Sequence, residues 1–218
     1  MQISQVLSKA YFYGGELNES NLEFILAEKE KIIKQSGILE MVNSKEPIEN
    51  IGGLELLKNW LKLKAKIFES LEKVIKFGVD VLNGILILGM LGCGKSLAAK
   101  AMAALFKVPL IRLDVGRLMG KYVGESEENM RRALSLVETV SPCVLWIDEL
   151  EKAFAGVGSN SGEVTTRLFG NFLTWMQEKE STVFIVATAN AISKLSPEFL
   201  RKGRFDELFF EIRLNVRI

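Results

Sequence analysis

The sequence contains no histidine, only two cysteines and four prolines, and its positive and negative charges nearly cancel. Without imidazole, catalysis by a histidine base is excluded, so a hydrolase with this sequence must use a carboxylate as its general base. The two cysteines, Cys93 and Cys143, indicate no disulfide framework and favour a reducing compartment. A net charge of +1 provides no field that would attract nucleic acid or a membrane surface.

Long hydrophobic runs are also absent. The longest, at residues 85–91, is interrupted by Gly89 and falls far short of the roughly 20 residues that cross a bilayer. Residues 1–17 show neither an arginine-rich pattern nor a small-residue cleavage site, so no targeting peptide is visible. Hydrophobic residues nevertheless make up 48% of the 218 residues, which is enough for a large core. We therefore expect a soluble protein without a membrane span.

Two stretches of the chain differ in composition and in the spacing of their apolar residues. Residues 1–46 are rich in lysine and show helical spacing of apolar residues. We expect this stretch to be a helical segment that packs on the rest of the chain or, alternatively, serves as a partner-binding arm. Pro47 ends the pattern. We expect residues 47–218 to form a separate core domain.

Short apolar strands alternate with helices in this second stretch. The candidate strands are Ile85–Leu88, Leu110–Leu113, Cys143–Ile147 and Val183–Thr188. The candidate helices are Lys95–Phe106, Ser126–Val140, Val164–Glu178 and a short one at Pro197–Leu200. Because the strands lack polar alternation, both of their faces should be buried, as in a parallel sheet covered by helices. The sequence therefore predicts a three-layer α/β fold.

A glycine-rich segment follows the first of these strands. Residues 89–96 fit the pattern G-x-x-x-x-G-K-[S/T], whose backbone amides and helix N-terminus surround a phosphate. We expect Lys95 to reach the β- and γ-phosphates of ATP and Ser96 to ligate Mg²⁺. A plain strand-to-helix turn is disfavoured, because strand, loop, Lys-Ser pair and helix occur together. The predicted nucleotide-binding residues here are Gly89, Met90, Leu91, Gly92, Cys93, Gly94, Lys95, Ser96 and Leu97.

Two carboxylates end the strand at residues 143–147. Asp148 is positioned to hold Mg²⁺ through water, and Glu149 to act as general base on the attacking water. An apolar run that ends in Asp-Glu is equally typical of a turn or a helix cap, but some 50 residues after a phosphate-binding loop it favours catalysis. Glu151, close by, is expected in the first turn of the next helix without a catalytic role.

Further polar residues follow the last candidate strand. Asn190 ends it and is expected to bind the attacking water or the γ-phosphate, unless it is only a turn residue. Arg201 and Arg204 come after a short proline-capped helix. They are suited to spreading positive charge onto a transferring phosphoryl group, including that of a neighbouring subunit. The alternative for this pair is a solvated basic turn.

Taken together, these motifs resemble the AAA ATPase family. Asn190, Arg201 and Arg204 match that family's sensor asparagine and two arginine fingers. The resemblance implies that the backbone of Ile51 and Gly52 contacts adenine. It also implies that Tyr122 and Val123 lie in a pore loop that grips a polypeptide at the centre of a hexameric ring; for Tyr122, local packing is the alternative.

Several segments are similar to a divergent, uncharacterised AAA family encoded in algal plastid and cyanobacterial genomes. Examples are the stretches 113–118, 141–149, 169–175 and 200–207. This resemblance implies that the protein is located in the plastid stroma or in the cyanobacterial cytoplasm. The family continues into a helical lid after the Gly-Arg-Phe-Asp segment, so we expect residues 1–218 to be a truncated form that lacks the lid.

The sequence is compatible with three functions. The first is a Mg-ATPase ring, a homo-oligomer that remodels or threads a protein substrate, with an unknown adaptor. The second is a nucleotide-binding module with little turnover. The third is a nucleic-acid motor, which would need a basic groove with stacking aromatic residues, and the balanced charge offers none. We therefore expect no nucleic-acid partner.

Overall fold

The computed structural model describes residues 19–70, 82–90, 92–118, 124–154 and 163–211. Within them, six strands form one sheet in the order β1-β3-β4-β5-β2-β6. The strands are β1 (Leu39–Val42), β2 (Gly84–Gly89), β3 (Leu110–Leu113), β4 (Cys143–Ile147), β5 (Val183–Ala189) and β6 (Glu207–Glu211). β1 is antiparallel to β3, and all other neighbouring pairs are parallel. The expected parallel sheet is thus present, with an antiparallel strand at one edge.

Helices cover both faces of this sheet. The described residues form α1 (Glu19–Gln35), α2 (Glu55–Glu69), α3 (Lys95–Phe106), α4 (Val115–Leu118), α5 (Glu125–Val140), α6 (Leu150–Ala153) and α7 (Glu163–Glu178), with 3₁₀ helices at Ile48–Asn50, Ile192–Lys194 and Pro197–Leu200. None of these helices is long and apolar enough to cross a membrane. Successive residues of β2, Ile85 and Leu86, belong to different hydrophobic clusters, because strand side chains alternate between faces. The expected three-layer α/β fold is confirmed.

The segment expected to be helical before Pro47 is helical only in part. α1 occupies residues 19–35, but residues 39–42 form the edge strand β1, with Leu39 opposite Leu113. The chain turns away from α1 at Gly37, which has a positive φ of 70°. The free edge of β3 then offers hydrogen-bond partners to the backbone that follows. The helical expectation is therefore wrong for residues 39–42. The domain division at residue 46 stays a prediction.

The carboxyl ends of β2, β4 and β5 lie side by side near the centre of the sheet. In open parallel sheets, residues that follow such neighbouring ends share a cleft. β2 leads into the glycine-rich loop, β4 into the pair of carboxylates and β5 into Asn190. The topology therefore brings the three predicted motifs to one edge of the sheet.

A buried amine lies near the opposite edge of the sheet, just before β5. The Nζ atom of Lys179 is buried and has no hydrogen-bond partner among the described residues. Burial lowers its pKa to about 8, against the opposing effect of the Asp206 and Glu138 charges. An unfolded lysine titrates near 10.5, so the unfolded state binds more protons between these two values. Stability should consequently rise with pH across the window from 8 to 10.5.

Replacing Lys179 with methionine should stabilise the fold. At pH 7 we expect the free energy of unfolding to rise by about 1–2 kcal/mol, because a buried charge without a hydrogen-bond partner is removed. The gain in stability from pH 8 to 10.5 should also become smaller than in the wild type. Urea unfolding at several pH values measures both effects, with exposed Lys31→Met as the control. A variant less stable than the wild type at pH 7 would contradict this expectation.

Candidate functional site

A cleft of about 170 Å³ lies at the carboxyl ends of β2, β4 and β5, and we call it the central cleft. Residues from three distant parts of the sequence line it: Gly92, Cys93, Gly94, Lys95, Ser96, Asp148, Glu149 and Asn190. The fold thus brings together, in one cleft, residues that the sequence predicted separately as phosphate-binding, acidic and polar site residues. Gly89, Met90 and Leu97 are described but do not line the cleft, and Leu91 lies outside the described residues.

The glycine-rich loop has the backbone conformation that its glycines permit. Gly92 and Gly94 have positive φ angles of 81° and 90°, which residues with a Cβ seldom adopt. α3 begins directly afterwards at Lys95 and continues for 12 residues. The first amide groups of a helix lack intrahelical acceptors, and its N-terminus carries partial positive charge. The loop therefore offers backbone amide donors to an anion that enters the cleft.

Lys95 contributes the full positive charge of the loop. Its Nζ atom donates hydrogen bonds to the carbonyl oxygens of Gly89 at 2.8 Å and Met90 at 2.7 Å. The residue is only 8% exposed, yet no carboxylate of the described residues forms a salt bridge with it. Neutral carbonyl groups thus hold the ammonium in place without cancelling its charge. This arrangement leaves the charge available for an anionic ligand.

The first carboxylate is fixed by a hydroxyl from the neighbouring strand. Thr188, fully buried in β5, donates from Oγ1 to Oδ1 of Asp148 at 2.6 Å. The same hydroxyl oxygen accepts a hydrogen bond from the backbone amide of Glu149 at 3.2 Å. Thr188 was not predicted from sequence as part of the site. Its signal is a polar side chain inside an otherwise apolar strand, two residues before Asn190.

The second carboxylate has a strained backbone and two donors. Glu149 adopts φ 51° and ψ 56°, a left-handed conformation that costs about 1 kcal/mol for a residue with a Cβ. Its Oε1 atom accepts hydrogen bonds from Lys152 Nζ at 2.6 Å and from Asn190 Nδ2 at 3.3 Å. The hydrogen bond from Lys152 is the main reason why the pKa of Glu149 lies below its usual value, and the nearby Lys95 charge acts in the same direction. Glu149 is thus held as an ionised acceptor facing the cleft.

Glu151 contributes more to the site than the sequence indicated. It does lie in the first turn of α6, as expected, but it is only 8% exposed. Its Oε1 atom accepts hydrogen bonds from the Asn190 backbone amide at 3.1 Å and from Asn190 Nδ2 at 2.9 Å. A helix-dipole role alone does not account for this burial and these bonds. The carboxylate belongs to the support of the site.

Oxygen atoms suitable for a magnesium ion are present in the cleft. Ser96 and Asp148 are both exposed there, and hydrogen bonding to Thr188 occupies only one Asp148 oxygen. Across the described residues, no group of three or more acidic, cysteine or histidine side chains is arranged to hold a metal. Magnesium is usually held by one or two carboxylates together with substrate phosphates, so these two residues fit such an ion.

The two arginines do not line the central cleft. Arg201 is 69% exposed and pairs with Glu198 at 3.8 Å, while Arg204 Nη1 donates to the Glu198 carbonyl oxygen. The intervening Gly203 accepts a hydrogen bond from Asn83 Nδ2, just before the amino end of β2. The glycine-rich loop leaves the other end of this strand, about 16 Å away at 3.3 Å per residue. The arginines are therefore remote from the cleft of their own chain.

The remaining predicted residues lie elsewhere. Ile51 is 2% exposed and packs in the core, and its backbone amide donates a hydrogen bond to the carbonyl oxygen of Ile48 at 3.2 Å. Gly52 is exposed, and neither residue lines the central cleft. Tyr122 and Val123 lie outside the described residues. The adenine and pore-loop assignments stay predictions.

Comparisons with known proteins agree with these motifs. The model of the ATPase family associated with various cellular activities (AAA) matches residues 85–212. A protein of Guillardia theta called "Uncharacterized AAA domain-containing protein ycf46" is 48% identical over 210 residues, which are 96% of this chain and 41% of that protein. Proteins of the same name from Pyropia yezoensis and Trieres chinensis are each 44% identical over 96% of this chain and 42% of their own length. The chain spans about two fifths of the length of these curated relatives.

Proposed function

The chain belongs to the AAA family and is a nucleotide-binding module of that family, and on this premise we propose that it binds Mg-ATP in the central cleft and hydrolyses it. One observation carries the proposal: an uncancelled ammonium, two carboxylates and an amide from three separate strand ends line the same small cleft. Phosphoryl transfer requires positioning and electrostatic stabilisation more than covalent chemistry, and these groups supply both.

Each group has a definite task in this proposal. Lys95 and the amides of the loop bind the β- and γ-phosphates, and Ser96 and Asp148 hold the magnesium ion. When bound, the ion neutralises charge that builds up on the phosphate oxygens. Glu149 accepts a proton from the attacking water, because it is the ionised carboxylate of the cleft with no metal-binding task. Asn190 binds the γ-phosphate or the attacking water.

The position of the arginines supports action between subunits. Arg201 and Arg204 are at the far end of β2, so the phosphate they stabilise belongs to a neighbouring chain. We propose a homo-oligomeric ring, a hexamer as in the family resemblance. Its pore loop at Tyr122 and Val123 would grip and remodel a protein substrate. The plastid stroma is the compartment suggested by the names of the relatives, with the cyanobacterial cytoplasm as the alternative.

Ring assembly predicts a concentration-dependent rate. If arginines act in trans, ATP turnover per subunit should rise steeply with protein concentration and then level off as assembly completes. A phosphate-release assay over a dilution series measures this rate. A rate per subunit that stays flat over the whole range, with sedimentation showing a single chain, would contradict trans action.

Mixing two inactive variants provides a matched control. Arg201→Ala/Arg204→Ala keeps an intact cleft, while Glu149→Gln keeps intact arginines. Neither should turn over ATP alone, yet mixed rings contain intact clefts that face intact arginines. Recovered turnover in the mixture supports trans action. If the arginine variant is fully active on its own, the two arginines have no catalytic task.

A nucleotide-binding module with little turnover is the second candidate. The observation in its favour is the 2.6 Å contact between Lys152 Nζ and Glu149 Oε1, which occupies the proposed base. Both side chains of this pair are partly exposed, at 69% and 34%, so the contact is weak enough for a ligand to displace. Measured turnover decides between the two candidates.

A further inference from the structure

Resting on the proposed ATP site, we propose that Glu151 is a positioning residue. It holds the side-chain amide of Asn190 so that one N–H group faces the central cleft and distinguishes ATP from ADP. No motif of the sequence pointed to this role, and Glu151 itself does not line the cleft. The burial of the carboxylate and its two hydrogen bonds to one residue point to this role.

Glu151 is buried, so its hydrogen-bond partner indicates what its carboxylate does. The residue is 8% exposed, and buried carboxylates are rare unless hydrogen bonds satisfy them. No salt bridge to Glu151 occurs among the described residues, and its Oε2 atom is buried without a partner. The hydrogen bonds of the carboxylate are made through Oε1, which accepts from the backbone amide of Asn190 at 3.1 Å and from Asn190 Nδ2 at 2.9 Å. Both hydrogen bonds of this buried carboxylate therefore go to a single residue, Asn190.

A carboxylate also dictates which way that amide points. The Oε1 atom of Glu151 is the acceptor of this bond, so the NH₂ end of Asn190 must face it and the amide oxygen must point away. A flipped amide would place oxygen against oxygen. The bond to the backbone amide fixes the end of β5 at the same time. One side chain therefore sets both the position and the orientation of Asn190.

The second N–H of the amide is the one offered to a ligand. It points to Glu149 Oε1 at 3.3 Å, which is longer than the 2.9 Å bond to Glu151. Glu149 and Asn190 both line the cleft, whereas Glu151 does not. A γ-phosphate oxygen in the cleft would take over this longer bond and leave the bond to Glu151 intact. ADP has no such oxygen, so the contact favours ATP.

Affinities for two nucleotides measure this contact without any need for turnover. We compare Mg-bound AMP-PNP, a triphosphate analogue that is not hydrolysed, with Mg-bound ADP by calorimetry. Glu151→Met removes the acceptor at similar size and should weaken AMP-PNP binding about 10-fold while ADP binding stays unchanged. Glu151→Gln keeps an acceptor oxygen and should stay close to the wild type. Asn190→Ala should lose the same factor as Glu151→Met.

The double variant Glu151→Met/Asn190→Ala separates positioning from an independent effect. If Glu151 acts through Asn190, the double variant should lose no more discrimination than Asn190→Ala alone. Additive losses, or equal losses for ADP and AMP-PNP, would overturn the inference, since both indicate a merely structural role. If Glu151→Met does not fold, Glu151→Asp takes its place, because the shorter side chain withdraws the carboxylate from Asn190. A wild type that binds neither nucleotide would end the proposed function together with this inference. Normal binding with unchanged discrimination in Glu151→Met would end this inference alone.

Discussion

Lys95→Ala is expected to weaken Mg-ATP binding by at least about 100-fold, the equivalent of two charge-assisted hydrogen bonds. In the structure, the ammonium donates to two carbonyl oxygens and to the Cys93 sulfur, and none of these partners is a carboxylate, so its charge is free for phosphate. Alanine removes that charge from the cleft but leaves the loop amides and the start of α3. Calorimetric titration of ATP in the presence of magnesium measures the loss.

Lys100→Ala serves as the matched control for this experiment. Lys100 lies on the same helix but does not line the central cleft. We expect its ATP affinity to stay within about threefold of the wild type. Equal affinities for Lys95→Ala and the wild type would show that the nucleotide does not bind at this loop.

Glu149→Gln is expected to separate binding from hydrolysis. The amide has the size of the carboxylate but cannot take a proton from water, so turnover should fall by about 100-fold or more. Mg-ATP affinity should remain, because phosphate and metal contacts involve other residues. Single-turnover assays with saturating protein measure hydrolysis, and titration measures binding on the same sample.

The exposed residue Glu180 provides the control for this second variant. Glu180→Gln should leave turnover unchanged. If wild-type turnover is as low as that of Glu149→Gln, the chain is a binding module rather than an ATPase. Unimpaired hydrolysis in Glu149→Gln would assign the base to another residue.

The central strands were predictable from sequence because their environment leaves few alternatives. β3 and β4 were predicted with the bounds that the structure shows, since buried parallel strands are runs of apolar residues. The edge strands were not. β1 has two of its four residues half-buried and one exposed, and β6 carries glutamate at both ends. Such short, mixed segments become strands through the open sheet edge beside them, which no local pattern records.

Within the site, residues of a contiguous motif were likewise predictable, whereas residues that act through distant parts of the chain were not. Lys95 and Ser96 were predicted because their loop is contiguous and its glycines have a backbone task. Thr188 and Glu151 were missed because their roles depend on contacts across β4 and β5, with partners 39 to 40 residues away in the chain. Polar residues next to a motif are thus ambiguous until the sheet register places them. Burial then identifies the ones that support the site.

The ATP affinity of the wild-type chain, titrated with and without magnesium, tests most directly whether the central cleft encloses a metal-bound triphosphate. We expect saturable binding of one ATP per chain that strengthens when magnesium is added. The magnesium-dependent gain should disappear in Asp148→Asn, whereas binding without magnesium should not weaken. An absence of saturable ATP binding in magnesium, or an affinity indifferent to both Lys95 and Asp148, would contradict this description of the cleft.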